Sequence, residues 1–161
     1  MSVKMKVEGF REIERALADL PRGTAKSVVR RAMKKELTPI ANMANALWPG
    51  SDDDVFRISP KVSRSQKGDS KALTGASIVN MFVGANKAPA VGAPHAHLIE
   101  FGTGPRSHES GKFVGAVSPQ PMLQPAWDAH SLGLLEGLGA RIWDEIAKTL
   151  ARRAKKAAKG K

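Results

Sequence analysis

The sequence predicts an α+β fold, with a small antiparallel sheet packed against an N-terminal helix pair and a long C-terminal helix. Three observations predict it. Apolar residues recur at helical spacing near both ends of the chain, at Phe10, Ile13, Leu17 and Leu20 and again at Leu135, Leu138, Ile142, Ile146 and Leu150. Between them Ile78, Val79, Met81, Phe82 and Val83 form a run of β-formers bounded by Gly75 and Gly84. The resulting order of strand, helix, helix, two or three strands and helix is that of an α+β domain. At 161 residues the chain fits one domain, residues 1–161, with one core.

Residues 4–8 alternate as a short strand does, and Gly9 breaks into the first helix, which Pro21 and Gly23 stop. Thr24 is the expected N-cap of a longer second helix, whose stripe runs from Ala25, Val28, Val29 and Ala32 to Ile40, Ala44 and Leu47. Pro39 sits inside it and predicts a kink or a split into two helices. Residues 51–75 are polar, with Val55, Phe56, Ile58 and Val62 as one strand interrupted at Pro60. Residues 76–84 read as a buried strand and 95–101 as its partner. The Gly-, Ser- and Pro-rich stretch from 102 to about 120 reads as a long loop. The last helix begins near Pro125, is weakened in its first half by Gly133, Gly137 and Gly139, and frays in a basic tail over 152–161. A sheet of three or four strands leaves open edges, which suits an oligomer.

The formal charge of +11 is unevenly placed. Residues 1–50 carry ten basic and five acidic side chains, 51–110 seven and six, and 111–161 nine and four, so the excess sits on the terminal helices. This is the pattern of solvated helix faces or of contact with DNA or an acidic partner. Candidate contacts are Lys26, Arg30, Arg31, Lys34 and Lys35 on the second helix and Arg152, Arg153, Lys155 and Lys156 on the tail. Stacking surface is scarce, with aromatic residues at 5% and no tyrosine, so nucleic-acid contact is expected to be nonspecific and salt-sensitive.

Enzymatic chemistry finds little support. The absence of cysteine excludes disulfides, thiolate metal sites and cysteine nucleophiles. His95 and His97 would share one face of a strand, but no third ligand accompanies them. Asp52, Asp53 and Asp54 lack the alternation of a calcium loop and read as a solvated turn. Gly102-Thr103-Gly104-Pro105-Arg106 lacks the Gly-Lys-Ser/Thr ending of a phosphate loop, and Ser107-His108 lacks a nucleophile elbow. No catalytic, metal or cofactor residue is expected. No apolar run is long enough to span a membrane and no signal peptide opens the chain, so a soluble protein made in the cytoplasm is expected.

Two motifs remain: His97-Leu98-Ile99-Glu100-Phe101-Gly102-Thr103 and, after a loop, Gln120-Pro121-Met122-Leu123-Gln124-Pro125-Ala126. With the opening strand, glycine and amphipathic helix, and the basic second helix, they resemble the tail-component family of lambdoid and other long-tailed phages and prophages, also called head-tail connector, neck or tail-completion proteins. The resemblance covers nearly the whole chain. Many members follow the second helix with an Ala-Pro-x-x-Thr-Gly-x-Leu segment. Here Leu47-Trp48-Pro49-Gly50-Ser51 leads into a polar insertion near 51–72, with Leu73-Thr74-Gly75-Ala76-Ser77-Ile78 as the remnant.

The resemblance implies a structural virion protein of the neck or tail, made in the host bacterium. It also implies a homo-oligomeric ring that contacts neighbouring neck and tail proteins and, through positive loops or helices, packaged DNA. Read for their local physics, Gly102 supplies backbone freedom at a turn, Phe101 or Ile99 anchors the sheet, and Pro121 and Pro125 bracket Leu123 to set the exit angle of the last helix. The rival reading is a cytoplasmic nucleic-acid-binding protein that uses its basic helices.

Overall fold

A computed structural model of the chain describes residues 10–50, 54–61, 79–85 and 93–159. Its elements are α1 (Phe10–Ala18), α2 (Arg22–Ala46), β1 (Phe56–Ser59), β2 (Phe82–Ala85), α3 (Ala96–Phe101), β3 (Thr103–Ser107), β4 (Phe113–Val117) and α4 (Leu123–Lys159). The fold is α+β, with helices and two small antiparallel sheets. The expected strand at 4–8 and most of the polar insertion near 51–72 lie outside the described residues.

The chain divides into two compact units. The first contains α1, α2 as far as Glu36 and α4 from Leu132. Its core is Ile13 and Leu20, Val28 and Ala32 from α2, and Ile142 and Ile146 from α4, with Ala16, Leu17, Ala25 and Leu138 packed against them. Val28/Ala32 and Ile142/Ile146 are both four-residue steps, which puts each pair on one helix face. Burial of a Val or Ile side chain contributes about 1.5–3 kcal/mol.

The second unit contains α2 from Leu37, β1, β2, α3, β3, β4 and α4 as far as Ser131. Ile40, Val55 and Met122 are among its fully buried side chains. The end of α2 is tied to β1 by Asn45, whose Nδ2 donates to the Phe56 carbonyl at 3.0 Å while its Oδ1 accepts the Phe56 N–H at 2.7 Å. Trp48 meets Phe56 edge-on at 6.2 Å. β1 and β2 pair antiparallel with Phe56 opposite Ala85 and Ser59 opposite Phe82.

Several expectations are corrected. Residues 96–101 form the helix α3 and not a strand, so the partner of β2 is β1. A short apolar run has no period long enough to decide between the two; here Ala96 and Glu100 are buried one helical turn apart. β2 is also shorter and less buried than expected, since residues 79–81 are not strand and Phe82–Ala85 are only half-buried. The stretch from 103 to 117 is a β-hairpin and not an open loop. Its turn is closed by Gly111 N–H to the His108 carbonyl at 2.8 Å, with Gly111 at φ 79 supplying the left-handed residue a three-residue hairpin loop needs.

Thr24 lies inside α2, because the Pro21 carbonyl already accepts the N–H of Thr24 and Ala25 at 2.8 and 3.0 Å. α2 runs unbroken through Pro39, which is exposed, so that the carbonyl it deprives of an intrahelical donor can be hydrated. α4 starts two residues before Pro125 and stays helical through its glycines and basic end to Lys159. One of those glycines has a packing reason, since a Cβ at Gly137 would lie 3.0 Å from the Glu36 carboxylate, which Arg141 Nε holds at 2.6 Å.

Candidate functional site

In the second unit the two sequence motifs meet. Glu100, at the end of α3, is 8% exposed, and its carboxylate accepts the backbone N–H of Met122 at 2.8 Å, of Leu123 at 3.1 and 3.2 Å and of Gln124 at 3.3 Å. The first turn of a helix has N–H groups with no intrahelical partner and carries the positive end of the dipole. Here a buried carboxylate from 22 residues upstream satisfies three of them. The next residue is Pro125, which has no N–H to satisfy, and the intrahelical ladder begins with Ala126 N–H to the Met122 carbonyl at 3.3 Å. Gln120 N–H donates to the Ile99 carbonyl at 2.8 Å, and Ala126 is fully buried. Pro121 lies exposed ahead of the cap.

Gly102 makes the joint possible. It has φ 71 and ψ 179, a conformation that is essentially glycine's alone. A Cβ there would lie 2.8 Å from both the Pro119 nitrogen and the Val117 carbonyl oxygen. Thr103 follows and its Oγ1 accepts the Val117 N–H at 3.1 Å, closing the base of the hairpin.

The hairpin beyond this joint exposes apolar side chains. Phe113 is 65% exposed and Val114 56%, and Val117 is also open to solvent; Phe101, at the end of α3 just before the joint, is 80% exposed. Of the two residues the sequence offered as anchors of the sheet, Phe101 is therefore not one, and Ile99 is half-buried on α3. The sequence signal for the hairpin was present in Phe113-Val114-Gly115-Ala116-Val117 after Ser110-Gly111, a β-forming run behind a turn pair. His97 is exposed on α3 and His95 precedes that helix, so the shared strand face that would have paired them does not exist. Among the described residues no cluster of three metal-ligating side chains occurs, and no helix is long and apolar enough to cross a membrane.

In the first unit the basic residues have different fates. Arg31 Nε and Lys35 Nζ reach the two oxygens of Glu145 at 2.7 and 2.6 Å, and Arg31 also donates to Thr149 Oγ1 at 2.9 Å. Glu145 is 3% exposed at its side chain. The hydrogen bonds from Lys35 and then Arg31 hold its carboxyl down at about 2, against burial, which acts to raise it. Lys26 is half-buried, while Arg30, Lys34, Arg152, Arg153, Lys155 and Lys156 are exposed. Glu145 was missed at the sequence level, although it is the last acidic residue before an all-basic stretch.

A family model described as "Bacteriophage HK97-gp10, putative tail-component" matches residues 11–102. The match includes Glu100 and Gly102 and ends before the segment that Glu100 caps. No curated protein and no solved structure matches the chain.

Proposed function

The chain belongs to the bacteriophage HK97-gp10 tail-component family, and from that premise we propose that it is a structural virion protein of the neck and tail whose copies form a ring joining or completing the head-tail junction. The observation that carries the ring is the β3–β4 hairpin. A two-stranded ribbon is marginal by itself, and this one pairs with no further strand among the described residues and exposes Phe113, Val114 and Val117. Such a surface is suited to burial against another copy or a neighbouring tail protein. The Glu100–Gly102 joint then has a structural role, fixing the hairpin against the start of α4. On this reading function resides in interfaces and no residue is catalytic.

The test is electron microscopy of particles from the source phage, with density for this chain sought at the neck and tail. A ring of copies with the hairpin at a subunit or tail-protein interface is expected. Absence of the chain from the particle would overturn the reading.

A further inference from the structure

Within the first unit, the first turns of α2 and the last turns of α4 border a cleft of about 450 Å³ lined by Thr24, Ser27, Arg31, Arg152, Arg153 and Lys156, among others. Every charged residue lining it is basic. The acidic group nearest in the bonding pattern is Glu145, and it is already shared by Arg31 at 2.7 Å, Lys35 at 2.6 Å and Arg152 at 3.9 Å. One carboxylate cannot neutralise three cations, and neither Arg153 nor Lys156 has an acidic partner among the described residues. The sequence supplies no further acid, since none follows Glu145 while Lys148, Arg152, Arg153, Lys155, Lys156, Lys159 and Lys161 do. The first turn of α2 likewise has no acidic residue. Cations gathered this closely repel one another, which is a cost unless a counter-charge is bound.

We propose that this cleft, continued by the exposed cations of the last turns of α4, binds the phosphodiester backbone of duplex DNA. Three features select that ligand. Arg152, Lys156 and Lys159 recur every three to four residues on an exposed helix, a regular cationic row that suits a polyanion of regular charge spacing. The cleft offers the guanidinium of Arg153 and the ammonium of Lys156 beside the hydroxyl of Thr24, donors of the kind that phosphate oxygens take, while the Ser27 hydroxyl is already given to the Gly23 carbonyl at 2.9 Å. No aromatic residue lines it, so it has no platform for the unstacked bases of a single strand. Binding is therefore by backbone, without sequence preference. It does not depend on the ring, because one chain carries the whole cleft.

The test uses the isolated full chain and a labelled random-sequence duplex of about 20 base pairs, titrated by anisotropy at several salt concentrations. Thr24→Glu places a carboxylate in the cleft and near the positive end of α2, where it favours the helix, so it should leave Tm unchanged or raised while weakening binding at least about tenfold. Arg153→Glu with Lys156→Glu should weaken binding similarly and lower the salt slope by about 2. Arg11→Glu with Arg15→Glu, the same charge change on α1, should weaken it less than about threefold. Equal losses from the cleft and α1 variants would overturn the proposal, as would no binding by the native chain. Tighter binding of a polyglutamate peptide than of the duplex would also overturn it, assigning the cleft to an acidic protein. None of these failures would remove the chain from the virion, which the particle images test separately.

Discussion

Glu100 and Leu123 are 23 residues apart in sequence, and the N–H of Leu123 lies 3.1 and 3.2 Å from the two carboxylate oxygens of Glu100. A helix cap is ordinarily supplied by the residue just before the helix. Here it comes from the end of another helix, so the cap is also a tertiary tie. Glu100→Gln keeps the shape but replaces one acceptor oxygen with a donor that faces backbone N–H groups. A loss of about 2–3 kcal/mol is expected, read as a lower urea midpoint with an unchanged slope. A midpoint equal to that of the native chain would mean that the cap contributes nothing.

Gly102 allows a comparison with a neighbour. Gly102→Ala forces a side chain into a left-handed conformation and against the backbone of Val117 and Pro119, and should cost about 2 kcal/mol or more. Gly104, two residues on, has open space where a Cβ would go. Gly104→Ala should therefore change stability by less than about 0.5 kcal/mol. Thermal unfolding of the two variants side by side checks the contrast.

Long periodic segments were readable from sequence, and short ones were not. α1, α2 and α4 each carry a stripe of apolar residues over several turns, and tertiary context shifted only their ends and the effect of Pro39. α3 has six residues, too few for a period to show, and its apolar content imitated a strand. The hairpin was hidden by Gly104, Pro105 and Gly115, residues that usually mark loops; Gly115 has φ 88 and lies where the pairing register is irregular. The motif residues were visible as a pattern, but the capping role of Glu100 depends on a contact across 22 residues that no local rule contains.

Glu145 ties folding to pH. Its carboxyl is lowered from 4.5 to about 2 by hydrogen bonds from Lys35 and Arg31. The folded state therefore binds this proton less readily than the unfolded chain, and the stabilisation is fully present above about pH 4.5. It is lost as pH falls from there through about 2. Both cations are partly exposed, so solvent screens the pairing and a contribution of about 1–2 kcal/mol is expected. Glu145→Gln should flatten the acid limb of a plot of stability against pH; an unchanged limb would place the acid sensitivity elsewhere.

Phe101 and Phe113 separate folding from assembly. Both are largely exposed, so replacing them removes little buried area from the single chain. Phe101→Ser with Phe113→Ser should shift Tm by no more than a degree or two, on the order of 0.5 kcal/mol for a chain of this size. If the hairpin is the surface that copies or tail neighbours cover, the same pair of substitutions removes two aromatic anchors from an interface, where such residues carry a disproportionate share of binding energy. Particles made in a host expressing only the doubly substituted chain should then lack it at the neck and tail, or fail to join heads to tails, although the free protein is folded. Native incorporation of the variant would show that the hairpin is not the assembly surface and would direct attention to the exposed apolar residues of α4, Trp127, Leu132, Trp143 and Leu150.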